Sequence, residues 1–317
     1  MDLGKSKNLS FLIGENNMSY VLITPVKNEE INLPNLAECI ARQTYLPSIW
    51  IIVDDNCIDQ TPEIIKNLMS RYDWIYSIKK KEINEYGHLS FAVSVKIGYE
   101  YAKDICKQKN ICYDYVGKID ADILLPENYF QILIDEFKSD LKLGILSGSI
   151  IEINETKERK YILDEFADER LYRKEFLEDV RGFPITYSPD TILLIKAKFK
   201  GWKFSVVKNL YFHQIRKSYP KDIWVRMKNR GYGRYTLNYH PFLVVLNALY
   251  MTLQRPHYHS VAYCYGYLIG VIKRGKKIED LEIRYYFRYT RWNEMLEKIK
   301  SIKKEKKSWF RIKYKIY

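Results

Sequence analysis

Short apolar runs alternate with amphipathic segments along the first half of the chain. Four runs rich in β-branched and aromatic residues predict buried strands: Tyr20–Pro25, Ser48–Asp55, Trp74–Ile78 and Tyr113–Ile119. The segments between them predict helices: Leu33–Gln43, a helix with Thr61 as N-cap and Pro62 at its first position, and Phe91–Lys107. Continuous apolar strands that alternate with helices predict an α/β fold, in which a mostly parallel sheet carries helices on both faces.

The pattern changes after residue 215, where helical aromatic segments dominate. Two apolar stretches, Pro241–Leu253 and Val261–Ile272, fall short of the roughly 20 apolar residues that cross a bilayer. Residues 298–317 carry eight Lys and one Arg against the single acid Glu305. We therefore expect a flexible N-terminal extension at 1–17, an α/β domain at 18–215, and a helical, aromatic and basic C-terminal region at 216–317.

Charge and cysteine content narrow the function classes. The 52 Lys and Arg exceed the 39 Asp and Glu, giving a net charge of +13, which favours an anionic partner: nucleic acid, a phosphorylated substrate or an acidic membrane surface. The five cysteines form no CxxC pair, which argues against a disulfide framework or a zinc ribbon and favours a reducing, cytosolic setting.

Pairs of acids follow two of the predicted strands. Asp54 and Asp55 end one strand, and Asp120 and Asp122 follow another. Residues i and i+2 at a strand end point to the same side, so both carboxylates of the second pair can face one Mg²⁺ or Mn²⁺ ion. The glycine-rich phosphate motifs GxGxxG and GxxxxGK[ST] are absent, so a cation is the expected means of neutralising phosphates. The alternative is that these acids lie on ordinary solvated loops.

Four motifs in order resemble one known family. They are TPVKNEE at Thr24–Glu30, VDDNCIDQT at Val53–Thr61, KIDADILLPENY at Lys118–Tyr129 and LGILSGSI at Leu143–Ile150. Across residues 19–215 the chain resembles a family 2 glycosyltransferase with the GT-A fold. The resemblance implies an inverting enzyme that uses a nucleotide-diphosphate sugar.

The resemblance also implies roles for individual residues. The residues that match those holding the nucleotide are Pro25, Asn28, Glu29, Asp54 and Asp55. Asp120 and Asp122 match the metal-binding DxD, with Asp122 as the direct ligand. The family continues after the first acid pair with Gly-Ser, whereas this chain has Asn56-Cys57.

Four further positions are carried over from the family. Asp190 matches the catalytic base, although Pro189 replaces the usual preceding Glu or Trp. His213 is placed near the metal or diphosphate, Arg216 at a phosphate, and Lys96 near the nucleotide sugar. The structural alternatives are an acid in the first turn of a helix for Asp190, a core histidine for His213 and a solvated helix lysine for Lys96.

These assignments predict transfer of a sugar from a UDP- or GDP-sugar to a hydroxyl acceptor, either lipid-linked or a glycan. The basic tail, its interleaved aromatic residues and the two apolar stretches favour peripheral attachment to the inner face of a membrane. Two alternatives remain open at this point: a nucleotidyltransferase of related α/β fold, and a basic nucleic-acid-binding protein.

Overall fold

The computed structural model describes residues 18–81, 89–152, 169–215, 223–253, 257–297 and residue 300. The predicted N-terminal extension at 1–17 and nearly all of the basic tail at 298–317 lie outside the described residues. Within the described ranges the chain divides into two compact units. The first contains residues 18–81, 97–152, 169–179 and 202–215, and the second contains residues 89–96, 180–201, 223–253 and 257–297. The predicted domain limits stay a prediction.

The first unit is built on one eight-stranded sheet. Its strands are β1 Tyr20–Val26, β2 Ile49–Asp54, β3 Ile75–Lys79, β4 Tyr115–Lys118, β5 Ile123–Leu124, β6 Leu143–Glu152, β7 Arg170–Arg173 and β8 Lys203–Gln214. The spatial order is β3-β2-β1-β4-β7-β6-β8-β5. The first four strands in this order are all parallel, as are β6 and β8, whereas β7 and β5 pair antiparallel with their neighbours. This confirms the predicted mostly parallel sheet.

Helices cover both faces of the sheet, as predicted from its apolar strands. The helices with residues in this unit are α1 Asn32–Ala41, α2 Thr61–Arg71, α3 Ser90–Lys109, α4 Tyr129–Ser139 and α5 Lys174–Asp179. Apolar side chains of α1, α2 and α4 pack with Leu22 and Trp50 in one core. On the other face, a Cβ on Gly98 of α3 would lie 2.7 Å from Ile23 Cγ2, so only glycine allows this close approach.

The second unit is helical and has a core of its own. Its elements are α6 Pro189–Lys200, α7 Ile223–Thr236, α8 Pro241–Thr252, α9 Tyr258–Ile272, α10 Leu281–Tyr285 and a π-helical turn at Tyr286–Thr290. Side chains of α6, α8, α9 and the π-helical turn share this core. Helices α7 and α9 cross closely at Gly231 and Gly266, because a Cβ on either would lie 1.8 Å from a carbonyl oxygen of the other helix. The predicted helical character of the C-terminal region is confirmed from α7 to the π-helical turn.

No helix within the described ranges has both the length and the apolar character needed to cross a membrane.

Candidate active site

The site predicted from the sequence begins where β1 and β2 end side by side. Val26 pairs with Asp54 in the parallel ladder, and the backbone N–H of Asp55 donates to the Val26 carbonyl at 2.9 Å. Pro25, one residue earlier in β1, pairs with Val53. The loops that follow the two strands therefore leave the same edge of the sheet, where ligands of parallel sheets bind.

Hydrogen bonds join these two loops. The N–H of Asn28 donates to the Cys57 thiol sulfur at 3.2 Å, and the Asn28 side-chain oxygen accepts from the N–H of Ile58 at 2.9 Å. Asn28 and Asn56 both adopt left-handed backbone conformations, with φ of 57° and 56°. Asparagine tolerates this region better than other residues with a side chain. Asn56 therefore adopts the left-handed conformation of this loop at a modest energetic cost.

The side chain of Asp54 stabilises the loop that follows β2. It is buried, and its Oδ1 accepts a hydrogen bond from the Cys57 N–H at 2.8 Å. Burial raises the pKa of the Cys57 thiol to about 11, so the sulfur is neutral at pH 7 and acts as a hydrogen-bonding group inside the loop. The predicted nucleotide-binding residue Asp54 is thus already engaged with the backbone.

Thr61 was predicted to be the N-cap of α2, and this prediction is wrong. The helix begins at Thr61 itself, and Gln60 occupies the capping position. The Thr61 hydroxyl accepts a hydrogen bond from the Glu29 N–H at 2.8 Å, and Glu29 Oε2 accepts from the Asn32 side chain at 2.8 Å. Since the Thr61 hydroxyl is used across the two loops, the threonine holds the predicted ligand Glu29 in place.

A buried lysine that the sequence analysis missed contacts Asp55. Lys80 directly follows β3, and its ammonium group forms an ion pair with Asp55 in which both side chains are less than 10% exposed. Its backbone N–H donates to the Asp54 carbonyl at 2.9 Å. The sequence contained a signal for this contact. Lys80 lies just after the third predicted strand, and in a parallel sheet that strand ends at the same edge as β1 and β2.

A second missed lysine lies next to the DxD motif. Lys118 ends β4, is 1% exposed, and its Nζ lies 3.9 Å from Asp120 Oδ1. Its partner in the ladder with β7 is Arg170, which is also buried. The buried ammonium group of Lys118 therefore provides positive charge beside the Asp120 carboxylate.

Asp122 is held by the end of β8. Its Oδ2 accepts from the Gln214 side chain at 3.2 Å, and its carbonyl oxygen accepts from the Ile215 N–H at 2.8 Å. His213 pairs with Leu124 in the antiparallel ladder between β5 and β8. Its Nδ1 is buried and has no hydrogen-bond partner within the described residues. Arg216, the predicted phosphate contact, lies outside the described residues.

The donor atoms fit a hard divalent cation. Asp120 and Asp122 have carboxylate oxygens, the type of ligand that Mg²⁺ and Mn²⁺ prefer, and the buried Nδ1 of His213 has no hydrogen-bond partner among the described residues that would compete with a metal. In the part of the chain that the structure describes, no group of three His, Cys, Asp or Glu residues converges tightly enough to hold a metal. The metal site stays a prediction.

The two remaining predicted residues belong to the second unit. Asp190 is half-buried in the first turn of α6, directly after Pro189, and Ser188 before it has a left-handed conformation with φ of 54°. Lys96 is half-buried in α3. The location of Asp190 at a helix N-terminus is the one that the sequence led us to expect.

Solved structures provide a comparison for the fold. The mannosyltransferase PcManGT from Pyrobaculum calidifontis, in complex with GDP-Man and Mn²⁺, has a TM-score of 0.50 at 16% identity over 78% of this chain and 69% of that chain. TarS 1–349 from S. aureus in complex with UDP has a TM-score of 0.47 at 16% identity over 68% of this chain. This chain spans 65% of the length of that TarS chain. A comparison with curated proteins finds no match.

A match to a protein-family model identifies the sequence family of this chain. The family described as Glycosyl transferase family 2 matches residues 21–199, which is more than half of the chain. This span contains all four motifs and the acids Asp54, Asp55, Asp120, Asp122 and Asp190. It agrees with the GT-A arrangement of the sheet and its helices and favours neither of the two alternative functions. The chain belongs to glycosyl transferase family 2.

Proposed function

We propose that this protein is a metal-dependent inverting glycosyltransferase that moves a sugar from a nucleotide-diphosphate donor to a hydroxyl acceptor. One observation carries the proposal: β3, β2, β1 and β4 are neighbours and parallel, so their carboxyl ends share one edge of the sheet. Asn28, Asp55, Lys80 and Asp120 all follow those ends. Polar groups of both charges thus occur where such sheets bind nucleotides.

The donor's base and ribose are assigned to the loops after β1 and β2. Because hydrogen bonds fix both loops, they offer carbonyl, amide and carboxylate groups in a set arrangement. Asp55 is the carboxylate best suited to a ribose hydroxyl, since Lys80 holds one of its oxygens. PcManGT was solved with GDP-Man, and TarS with UDP and UDP-GlcNAc. Those complexes support a nucleotide-sugar donor here.

The diphosphate is assigned to the DxD edge. Asp120, Asp122 and His213 would hold Mg²⁺ or Mn²⁺, which when bound neutralises charge on the departing diphosphate. Sites of this kind use one or two carboxylates together with phosphate oxygens, so a complete protein cage is not required. Gln214 orients the Asp122 carboxylate, and Lys118 adds positive charge beside Asp120.

Asp190 is assigned the role of general base, as the family resemblance implies. Its carboxylate accepts the proton from the acceptor hydroxyl while that oxygen attacks the anomeric carbon. The bond from the anomeric carbon to the diphosphate oxygen breaks on the opposite face. A single displacement of this kind inverts the configuration and needs no covalent sugar–enzyme intermediate.

A thermal-shift panel tests the donor and metal assignments together. UDP, GDP, dTDP and CMP are each measured with and without Mn²⁺, and we expect one diphosphate to raise Tm only when the metal is present. Saturation at 100 times Kd stabilises by about 2.7 kcal/mol. Asp122→Asn should abolish the shift, whereas Asp135→Asn, at an exposed acid in α4, should keep it. Absence of a shift with every nucleotide would refute the proposal.

A further inference from the structure

Helices α8 and α9 form a region without charge. Neither Pro241–Thr252 nor Tyr258–Ile272 contains Asp, Glu, Lys or Arg. One side of each helix is buried in the second unit: α8 buries Leu243 and Val244, and α9 buries Tyr263 and Gly266. The buried sides account for only part of this apolar character.

The other side of each helix is apolar and exposed. In α8 and the residue after it, the exposed positions Phe242, Val245, Leu249 and Leu253 recur every three or four residues. In α9 the same spacing places another set on one face: Tyr258, Val261, Tyr265, Leu268 and Ile272. We call these nine residues the α8–α9 apolar stripes. They include Leu253 at 82% and Ile272 at 78% exposure.

Exposed apolar side chains are concentrated in this region. Of the 23 large hydrophobic residues that are exposed in the described parts of the chain, eleven lie between Phe242 and Ile272. Elsewhere many of them, such as Leu141 and Met69, stand apart along the chain. Single exposed hydrophobic residues are ordinary, but a cluster of this kind marks a surface that binds something.

Exposed cations follow the end of the second stripe. Lys273 and Arg274 come directly after Ile272, and Lys276 pairs with Glu279 at 2.8 Å, where both side chains are more than 80% exposed. In the sequence, the basic segment 298–317 lies a short distance further on. Tyr250, Tyr258 and Tyr265 are exposed within the region. Apolar stripes, tyrosines and cations together are typical of a surface at the headgroup level of a bilayer.

The helices are too short to cross a bilayer. At 1.5 Å per residue, the 12 and 15 residues of α8 and α9 extend about 18 and 22 Å, whereas the hydrocarbon core is about 30 Å thick. A helix of this length with an apolar side lies in the plane of the interface.

We propose that the α8–α9 apolar stripes dock this protein onto the surface of an anionic phospholipid bilayer. The apolar side chains enter the boundary between headgroups and acyl chains, and the cations that follow α9 contact anionic headgroups. This inference goes beyond the proposed glycosyl transfer and does not depend on it, because vesicle binding is measured without donor or acceptor.

Vesicle co-sedimentation of the full-length chain tests the proposal. Wild type should bind vesicles containing 1-palmitoyl-2-oleoyl phosphatidylglycerol mixed with the matching phosphatidylcholine, and should bind pure phosphatidylcholine more weakly. Leu249→Glu/Leu268→Glu places two charges on the stripes and should reduce the partition coefficient at least about tenfold. The matched control Leu141→Glu/Met69→Glu adds the same charge at exposed positions of the first unit and should reduce it much less.

Several results would overturn the proposal. They are no binding of wild type to the anionic vesicles, an equal loss in the stripe variant and the control, or a stable wild-type dimer that the stripe variant dissociates in sedimentation velocity. Circular dichroism checks that each variant is folded. Leu249→Ser/Leu268→Ser, which adds no charge, replaces the stripe variant if the glutamates prevent folding, and should also weaken binding.

Discussion

The loops after β1 and β2 and the α8–α9 apolar stripes are both surface regions, but they have opposite chemistry. In the loops, polar side chains bond to the backbone of the neighbouring loop, and the buried carboxylate of Asp55 is paired with Lys80. The stripes present apolar side chains without a charged group. A fixed polar arrangement can select a small ligand by its hydrogen-bonding groups. An apolar face has no hydrogen-bonding groups with which to select a small ligand. Its binding free energy depends on the area buried, so it is suited to an extended partner such as a bilayer surface.

The largest expected effect concerns the acid that the proposal places in the chemistry. Asp190→Asn keeps the size of the side chain but removes the proton acceptor, so turnover should fall about 10²- to 10⁴-fold. Donor binding, measured by thermal shift, should be nearly unchanged because Asp190 is not assigned to the nucleotide. Turnover close to wild type in a folded variant would show that another group is the base.

The buried ion pair gives the next largest effect, this time on stability. Lys80→Met leaves the Asp55 carboxylate buried without its cation, which should cost about 3–5 kcal/mol in the free energy of unfolding. Lys203→Met is the control, since Lys203 pairs with Asp140 at 2.8 Å with side chains 64% and 32% exposed. It should cost less than about 1 kcal/mol. Urea unfolding measures both, and equal losses would mean that the Lys80 pair is effectively solvated.

The third prediction concerns the close crossing of α7 and α9, the helix that carries the second stripe. Gly266→Ala would place a Cβ against the Lys228 carbonyl oxygen, so the helices must separate, at an expected cost of about 1–3 kcal/mol. Val261→Ala, on the exposed side of the same helix, should change stability by no more than about 0.5 kcal/mol. A Gly266→Ala protein as stable as wild type would contradict the close crossing.

The smallest effect depends on pH. Burial raises the pKa of Asp280, but hydrogen bonds from Lys196 and from the Ile283 N–H outweigh it and leave the pKa below its usual value. The stabilisation is therefore present above the ordinary aspartate pKa and is lost as the pH falls through the lower, folded value. Asp280→Asn should cost about 1 kcal/mol at pH 7.

Urea unfolding at pH 7 and pH 3 checks this dependence. The difference between wild type and Asp280→Asn should shrink at the lower pH. Glu279→Gln, at an acid whose side chain is 82% exposed, should show no measurable change at either pH. A difference that stays constant with pH would mean that the charge of Asp280 contributes nothing.

Much of the sheet could be predicted because its strands are continuous apolar runs. The predicted Tyr20–Pro25 and Ser48–Asp55 correspond to β1 and β2 within one residue at each end. β7 was not predicted, since Arg170–Arg173 is charged at both ends, yet it is an internal strand that pairs with β4 and β6, and all four of its residues are buried. A hydrophobic pattern identifies a strand only when its buried residues are apolar. The charged residues of β7 are buried by parts of the chain that are distant in sequence, so the local pattern does not identify it.

The same limit applies to the candidate site. The acids could be found because they directly follow recognisable strands, and the helix-start position of Asp190 was readable from Pro189. Lys118 was hidden within an apolar run, and its contact with Asp120 depends on how the chain turns after β4. Thr61 was assigned to its own helix because local capping is visible in sequence, whereas its bond to Glu29 joins positions 32 residues apart.

The hydrogen bonds from the end of β8 to Asp122 have a consequence for recombination between related enzymes. Asp122 and Gln214 are 92 positions apart, yet their side chains bond directly, and the next residue, Ile215, bonds to the Asp122 backbone. A chimera whose junction falls between them would combine a DxD motif from one parent with a supporting strand from another. Replacing the motif alone should therefore disturb the position of the Asp122 carboxylate more often than a replacement that carries both segments from one parent.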